Sequence, residues 1–385
     1  FMPSEKQEMR AELVYVGQAR DGEMKLPGDV AGKLVAFSLT GRPDRAWNVR
    51  AQRALQAAEA AGAAGTVLIL DPVVAQGFFA GMSMNLSGER SEVGPIPFIA
   101  LSRSAAAPVL AAAGRQLDSL QLGLAGDVAP TPTGIVLTLR QPLSLRVDSV
   151  PNVIALLPGS DPALRDQYVV VSAHMDHVGV GRPENGDSIY NGADDNASGT
   201  TALLEIAGAF KALSRAPARS VVFLAVSGEE QGLRGSAFWV KHATVPFERV
   251  VADVNLDMVT RNAPDTIAVL GQELSSLGAD VRQIAAAHPE LKLTVQPGSP
   301  SPELPLIQMS DQYSFLVAGV PAVFFFSGMH GDLHRPTDEI ARCDTDKGAR
   351  VARLAFLLAH ATAQSPARPA WTDEGGRSYV HEAAH

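Results

Sequence analysis

The chain has 385 residues, of which 46% are hydrophobic and 19% charged, so it can bury a large core and does not have the composition of a disordered chain. Its 32 basic and 41 acidic residues give a net charge of −9, which argues against a nucleic-acid-binding protein, since such proteins need a basic face. No apolar run approaches the ~18–20 residues that span a bilayer. The single cysteine, Cys343, excludes a disulfide framework and a thiolate zinc site.

Strand and helix signals alternate from about residue 11 to residue 126, in a region that is rich in alanine and glycine and contains no histidine. Short apolar runs between turns indicate buried strands, whereas alanine and leucine at helical spacing indicate helices. This region therefore predicts a small α/β unit. Its predicted elements are, in chain order, strand 33–37, helix 47–63, strand 66–70, strand 96–101 and helix 105–113.

A proline-containing stretch, residues 126–134, predicts a linker to a second and larger region. There, near-continuous apolar strands are separated by helices, which predicts a mostly parallel sheet covered on both faces. The predicted strands are 153–157, 168–173, 221–226, 250–256, 266–270 and 322–326. The predicted helices are 200–213, 236–242, 277–287, 311–317 and 346–363.

Histidines and carboxylates follow four of these strands and occupy one glycine-flanked loop. In such sheets ligands bind at the carboxyl ends of the strands, so we expect these side chains to converge. Each alone is better explained as a loop residue or a helix cap. Together, with no cysteine nearby, they predict a metal site of imidazole and carboxylate. The candidates are His174 and Asp176, Glu229 and Glu230, Asp257, His330 and His334, with Asp194 and Asp195 in the loop.

Two histidines and three carboxylates exceed what one catalytic zinc ion needs, because such an ion takes three protein ligands and a water molecule. A carboxylate shared between two ions would serve both. Three carboxylates and one hydroxide would also balance the charge of two zinc ions, which a buried cluster requires.

These motifs and their order resemble the co-catalytic zinc peptidases of peptidase family M28, which include bacterial aminopeptidases, glutamate carboxypeptidases and glutaminyl cyclases. The resemblance covers about residues 151–363 and implies a three-layer αβα domain with a mixed, mostly parallel central sheet. The motifs that carry it are His174-x-Asp176, Gly192–Gly199, Gly228–Glu230, Asn255–Met258 and His334.

The resemblance implies two Zn²⁺ ions and assigns a role to each matching residue. His174, Asp195 and Asp257 would hold one ion. Asp195, Glu230 and His334 would hold the other, with Asp195 bridging the two.

The resemblance also implies a catalytic pair. Glu229 would be the general base that takes a proton from the attacking water and passes it to the leaving amine. Asp176 would fix the orientation of the His174 ring. A cis peptide bond is expected at Asp195–Asn196, and the Asp194 side chain is expected to face backbone or solvent.

The chain departs from the family where several members place a tyrosine before the last ligand histidine, because Leu333 occupies that position. The tyrosine hydroxyl can stabilise the oxyanion of the tetrahedral intermediate. Without it the zinc ions must act alone or with another donor, for which His330 and Tyr313 are the candidates.

The domain prediction assigns residues 11–129 to an accessory domain that resembles a protease-associated domain and residues 130–370 to the catalytic domain. Residues 371–385 form a tail, and whether residues 1–10 belong with the catalytic domain is left open. A periplasmic or secreted location is expected from the family's habit, with a leader removed before Phe1.

The favoured function is that of an aminopeptidase acting on a peptide substrate, with no nucleic-acid partner, no membrane span and no prediction of oligomeric state. A glutamate-carboxypeptidase-like hydrolase is the alternative, since Arg261 and Arg335 lie close to ligands in sequence and could hold substrate carboxylates. A glutaminyl cyclase ranks lower because it uses one zinc ion and lacks such an accessory domain. An inactive binding homologue is opposed by the intact Glu229 and mildly favoured by Leu333.

Overall fold

The computed structural model describes residues 8–19, 24–26, 28–40, 45–70, 98–112, 114–117, 130–140, 149–298 and 306–372. The chain divides into two compact units, Phe1–Asp148 and Ser149–His385. The division falls later than the predicted boundary between residues 129 and 130. The reason is that strand Thr131–Arg140 pairs antiparallel with strand Glu8–Gln18, which places both in the sheet of the first unit.

The first unit contains a five-stranded sheet of order β4-β3-β2-β1-β5, parallel except for β5 at its edge. Alternate residues of its strands face opposite sides, so Val35 and Phe37 pack with helix α1 while Leu34 and Ala36 pack with helix α2. The elements are β1 (Glu8–Gln18), β2 (Leu34–Leu39), α1 (Arg45–Ala60), β3 (Gly65–Leu70), β4 (Phe98–Ser102), α2 (Arg103–Ala111) and β5 (Thr131–Arg140).

The second unit contains a seven-stranded mixed sheet of order β13-β12-β14-β11-β7-β10-β6. Its four central strands β14, β11, β7 and β10 are mutually parallel, whereas β6 and β12 pair antiparallel with their neighbours β10 and β14. The strands are β6 (Val153–Leu157), β7 (Tyr168–His174), β10 (Ser220–Val226), β11 (Val250–Leu256), β12 (Thr266–Leu270), β13 (Thr294–Pro297) and β14 (Ala322–Phe326).

Helices cover both faces of this sheet, as predicted. In β7, Val169 and Val171 face a core shared with α3, α5 and α7, whereas Val170 faces a core shared with α4 and α6. Burial on both sides explains why the strand reads as one continuous apolar run. The helices are α3 (Gly199–Ala212), α4 (Arg234–Lys241), α5 (Leu277–Ala287), α6 (Gln312–Val317) and α7 (Thr345–Gln364).

A separate two-stranded hairpin, β8 (Gly179–Glu184) and β9 (Asp187–Tyr190), lies outside both large sheets. Its facing residues Val180 and Ile189 are 80% and 57% exposed, so the hairpin has one apolar face open to solvent. Among the helices that the structure describes, none is long and apolar enough to cross a membrane.

Candidate metal centre

The carboxyl ends of β7, β10, β11 and β14 lie side by side because these four strands are parallel neighbours. His174 is the last residue of β7, and Asp257 directly follows β11. Glu229 and Glu230 come shortly after β10, and His334 lies in the loop after β14. The sheet topology therefore brings the predicted ligands to one edge.

The first group of polar atoms surrounds the His174 ring, which is buried. Its Nε2 lies 3.3 Å from Asp195 Oδ1, 3.3 Å from Asp257 Oδ1 and 4.0 Å from Glu229 Oε2. Three carboxylates thus face one imidazole nitrogen within a small space, as they would around a shared cation.

The second group surrounds Glu230. His334 Nε2 lies 2.9 Å from Glu230 Oε2 and 3.1 Å from Asp195 Oδ2. Asp195 therefore belongs to both groups, since its Oδ1 faces His174 and its Oδ2 faces His334. All five predicted ligands come together, with Asp195 between the two groups.

The structure adds His177, which the sequence analysis did not single out. Its Nδ1 lies 2.7 Å from Glu230 Oε1 and 3.8 Å from Asp195 Oδ2. The signal that could have found it is a second imidazole three residues after His174, in the same loop at the end of β7.

Several buried atoms of the two groups lack a hydrogen-bond partner within the described part of the chain. They are His174 Nε2, Asp257 Oδ1, Glu230 Oε1 and both ring nitrogens of His177. Buried polar atoms are nearly always paired in proteins, so orphaned atoms that face one another need another partner. Imidazole nitrogens and carboxylate oxygens are the donors that zinc takes in such sites, and this set fits divalent zinc.

Electrostatics also favour cations here. Burial raises the pKa of Glu229 to about 10, and the carboxylates of Asp257, Asp311 and Glu230 add to this rise while charge on His174 opposes it. Divalent cations held by the ligands would offset the repulsion among these carboxylates and return the pKa of Glu229 toward its ordinary range.

Asp176 contacts both His174 and Glu229. Its backbone carbonyl oxygen lies 3.1 Å from His174 Nδ1, and its carboxylate accepts a hydrogen bond of 3.2 Å from the Glu229 amide. The carboxylate itself is 3.7 Å from His174 Nδ1. Asp176 thus has contacts that can fix the His174 ring and the position of Glu229.

The loop that carries Asp195 follows the expected pattern. The peptide bond Asp195–Asn196 is cis, as expected. Asp194 is fully buried and faces backbone, which is one of the two directions expected for its side chain. Its Oδ1 accepts hydrogen bonds from the amide and hydroxyl of Thr260, and its Oδ2 lies 3.3 Å from His330 Nε2. Because His330 faces Asp194, it is poorly placed to donate to an oxyanion.

Gly192 begins this loop with a φ of 66°, a left-handed conformation that favours glycine. A Cβ here would lie 2.4 Å from the carbonyl oxygen of Asp195 and 2.5 Å from the His177 ring. A glycine is therefore required for the two potential ligands to approach as they do.

Asp338 anchors the same loop from behind. Its carboxylate accepts hydrogen bonds from the amide of Asp194 at 3.1 Å and from the amide of Asp195 at 3.0 Å. Arg261 Nη1 lies 3.5 Å from Asp338, and Arg261 Nη2 pairs with Asp332. The guanidinium of Arg261 is thus occupied by two aspartates.

A buried polar network below the groups joins β7, β11 and the start of α6. Ser172 Oγ donates to Asp253 at 2.8 Å, and Asn255 Nδ2 donates to Ser310 Oγ at 2.8 Å and to Gln312 Oε1 at 2.9 Å. These bonds fix the strand ends that carry the metal-binding candidates.

Comparison with known proteins found relatives that are named as zinc proteases and aminopeptidases. A "Probable zinc metalloprotease" of Pyricularia oryzae is 31% identical over 286 residues, which cover 63% of this chain and 55% of that protein. A "Probable leucine aminopeptidase" of Arthroderma benhamiae is 28% identical over 225 residues, which cover 55% of this chain and 58% of that protein. The chain thus spans about half the length of these curated relatives.

Among solved structures, the zinc aminopeptidase of Bacillus subtilis is similar in fold, with a TM-score of 0.54 and 21% sequence identity. The alignment covers 94% of this chain and 77% of that one. The model of "Peptidase family M28" matches residues 152–359, which are more than half of the chain and include every residue of the two groups. By this match the chain belongs to peptidase family M28.

Proposed function

We propose that this chain is a zinc-dependent exopeptidase that binds two zinc ions and acts as an aminopeptidase. The observation that carries the proposal is the position of Asp195, because its two carboxylate oxygens face two different groups of potential ligands. The carboxylate of Glu229 stands beside the first group.

The residues divide between the ions as their contacts suggest. His174 and Asp257 would hold one ion, Glu230 and His334 the other, and Asp195 both. Bound zinc supplies Lewis acidity, which polarises the scissile carbonyl and makes water more acidic. The ligand side chains fix where that acidity acts.

Glu229 is the residue that moves the proton. Its side chain is largely buried, its Oε2 lies 4.0 Å from His174 Nε2, and its amide is held by Asp176. A carboxylate in this position can accept a proton from the attacking water and deliver it to the leaving amine. Its burial limits competing contact with bulk water.

The contacts of Arg261 favour an aminopeptidase over a glutamate carboxypeptidase. An enzyme that takes acidic substrates needs free cationic groups, but Arg261 is paired with Asp332 and Asp338. Arg335, which directly follows His334, is exposed. The alternative function therefore rests on Arg335.

Two substrate panels test the proposed function. Aminoacyl-nitroanilides with a free amino terminus should be hydrolysed, and acyl-glutamates should not. Chelation should abolish hydrolysis and added Zn²⁺ should restore it. Hydrolysis of acyl-glutamates alone, with loss of that activity in Arg335→Ala, would establish the alternative function.

We also propose that the first unit is an accessory, protease-associated domain and that the protein works in the periplasm or outside the cell. The absence of histidine from its predicted elements supports a non-catalytic unit. Fractionation of expressing cells, probed with an antibody to the chain, tests the location.

A further inference from the structure

His177 stands beside the second group as an unassigned imidazole. Its side chain is 8% exposed, and its Nδ1 lies 2.7 Å from Glu230 Oε1. Despite this short distance, neither ring nitrogen of His177 nor Glu230 Oε1 has a hydrogen-bond partner of acceptable geometry among the residues that the structure describes. Two close atoms that each carry a lone pair and share no hydrogen bond can both bind a third partner.

The neighbouring atoms complete a set of four donors. His334 Nε2 lies 2.9 Å from Glu230 Oε2, and Asp195 Oδ2 lies 3.1 Å from His334 Nε2 and 3.8 Å from His177 Nδ1. A zinc ion held tetrahedrally at about 2.0–2.2 Å keeps its ligand atoms roughly 3.3 Å apart. The separations from 2.7 to 3.8 Å bracket that value.

We propose that His177 is a fourth protein ligand of the second ion, an inference that rests on the proposed function. The ion among His177, Asp195, Glu230 and His334 is called here the rim ion. The ion among His174, Asp195 and Asp257 is called the strand ion. The rim ion would have two imidazoles and two carboxylates around it, and the strand ion three protein ligands.

This difference separates the two ions by role. Zinc sites closed by four protein ligands hold the metal structurally, whereas sites with three protein ligands keep an open position for water or substrate. The rim ion is therefore expected to bind first and more tightly. The strand ion keeps the open position, on the side where Glu229 lies.

Metal titration of the metal-free full-length protein is the first test. Isothermal titration with Zn²⁺ should show two ions of unequal affinity in the wild type. In His177→Asn the side-chain amide can donate a hydrogen bond to Glu230 but is a poor zinc ligand. Its tighter ion should bind more weakly by more than the ~10–100-fold typical of losing an outer partner. His288→Asn, at a partly exposed histidine distant in sequence from both groups, is the matched control and should bind as the wild type does.

A cysteine at position 177 gives a direct readout. Co²⁺ bound by a thiolate shows a sulfur-to-cobalt charge-transfer band in the near ultraviolet, so His177→Cys loaded with Co²⁺ should gain this band. His288→Cys should not. The band reports contact between residue 177 and the ion and does not depend on activity.

The outcomes distinguish the two proposals. Wild-type affinities in His177→Asn, with no band in a folded His177→Cys, would show that His177 only positions Glu230 and would overturn this inference alone. A wild type that binds fewer than two ions would overturn the proposed function instead. Circular dichroism of each metal-free variant verifies its folding. If one of the two variants at position 177 does not fold, the measurement on the other variant decides.

Discussion

At the scale of single residues, Glu229 and Glu230 are adjacent in sequence, but their side chains contact different residues. Glu230 contacts His177 and His334, whereas Glu229 Oε2 lies 4.0 Å from His174 Nε2. One carboxylate thus lies between two potential imidazole ligands, and the next lies beside the other group of ligands. That separation is what allows a base to remain available next to metal ligands.

Glu229→Gln should lower kcat by about 10²–10⁴-fold, because the amide cannot accept a proton from water. Two bound zinc ions per chain should be retained, since Glu229 is not among the proposed ligands. Steady-state kinetics measure kcat, and metal analysis measures the number of zinc ions per chain. Glu248→Gln, at an exposed glutamate, serves as the control. A rate within about tenfold of the wild type would exclude Glu229 as the base.

At the scale of elements, the loop with Asp195 and the loop with His334 are joined by Asp338, which lies four residues after His334. The fully buried carboxylate accepts two amides of the first loop, so the position of one potential ligand depends on the segment that carries another. Losing partners that orient ligands typically weakens metal binding about 10–100-fold.

Asp338→Asn should therefore reduce zinc affinity by roughly 10–100-fold. The NH₂ group of the asparagine would face another hydrogen-bond donor, either the backbone amides of the loop or the guanidinium of Arg261. Competition with a coloured chelator measures this affinity. Glu339→Gln alters the exposed neighbouring residue and should leave the affinity unchanged. Equal affinities in the two variants would show that Asp338 does not position the loop.

A second element-scale prediction concerns the carboxyl end of α7. Arg219 is fully buried and donates hydrogen bonds to the carbonyl oxygens of Thr362 at 3.0 Å and Pro366 at 3.2 Å. Arg219→Ala should lower the free energy of unfolding by about 2–3 kcal/mol, because these carbonyls lose a charged donor. Denaturant unfolding measures it, and Arg215→Ala, at an exposed arginine, should have little effect.

The sequence was most informative where periodicity and burial coincide. Strands β11, β12 and β14 begin and end at their predicted residues, because buried apolar runs bounded by polar residues leave little ambiguity. The hairpin β8–β9 was not predicted, since neither of its strands has a buried face. His177 was missed for a related reason: its spacing from His174 is a weak signal, and its 2.7 Å approach to Glu230 is visible in the structure alone.

At the scale of the whole molecule, the potential metal ligands found among the described residues belong to the second of the two compact units. Metal binding should therefore stabilise that unit and leave the first unaffected. A ligand at 100 times its Kd adds about 2.7 kcal/mol of stability. In a unit of this size that corresponds to roughly 5–10 °C in Tm.

Calorimetry of the full chain with and without chelator tests this expectation. Chelation should lower the midpoint of one unfolding transition and leave the other in place, and added Zn²⁺ should reverse the change. A shift of both transitions by the same amount would show that the two units unfold as one.

The hairpin β8–β9 starts two residues after His177 and ends two residues before Gly192, so both of its ends lie close in sequence to residues of the candidate metal centre. Its tip at the exposed Asn185 is six strand residues away, within about 20 Å. A fluorophore attached there would lie in the range over which a coloured Co²⁺ ion quenches emission by energy transfer. The tip is thus a reporter position from which metal entry could be followed in real time while every ligand side chain stays intact.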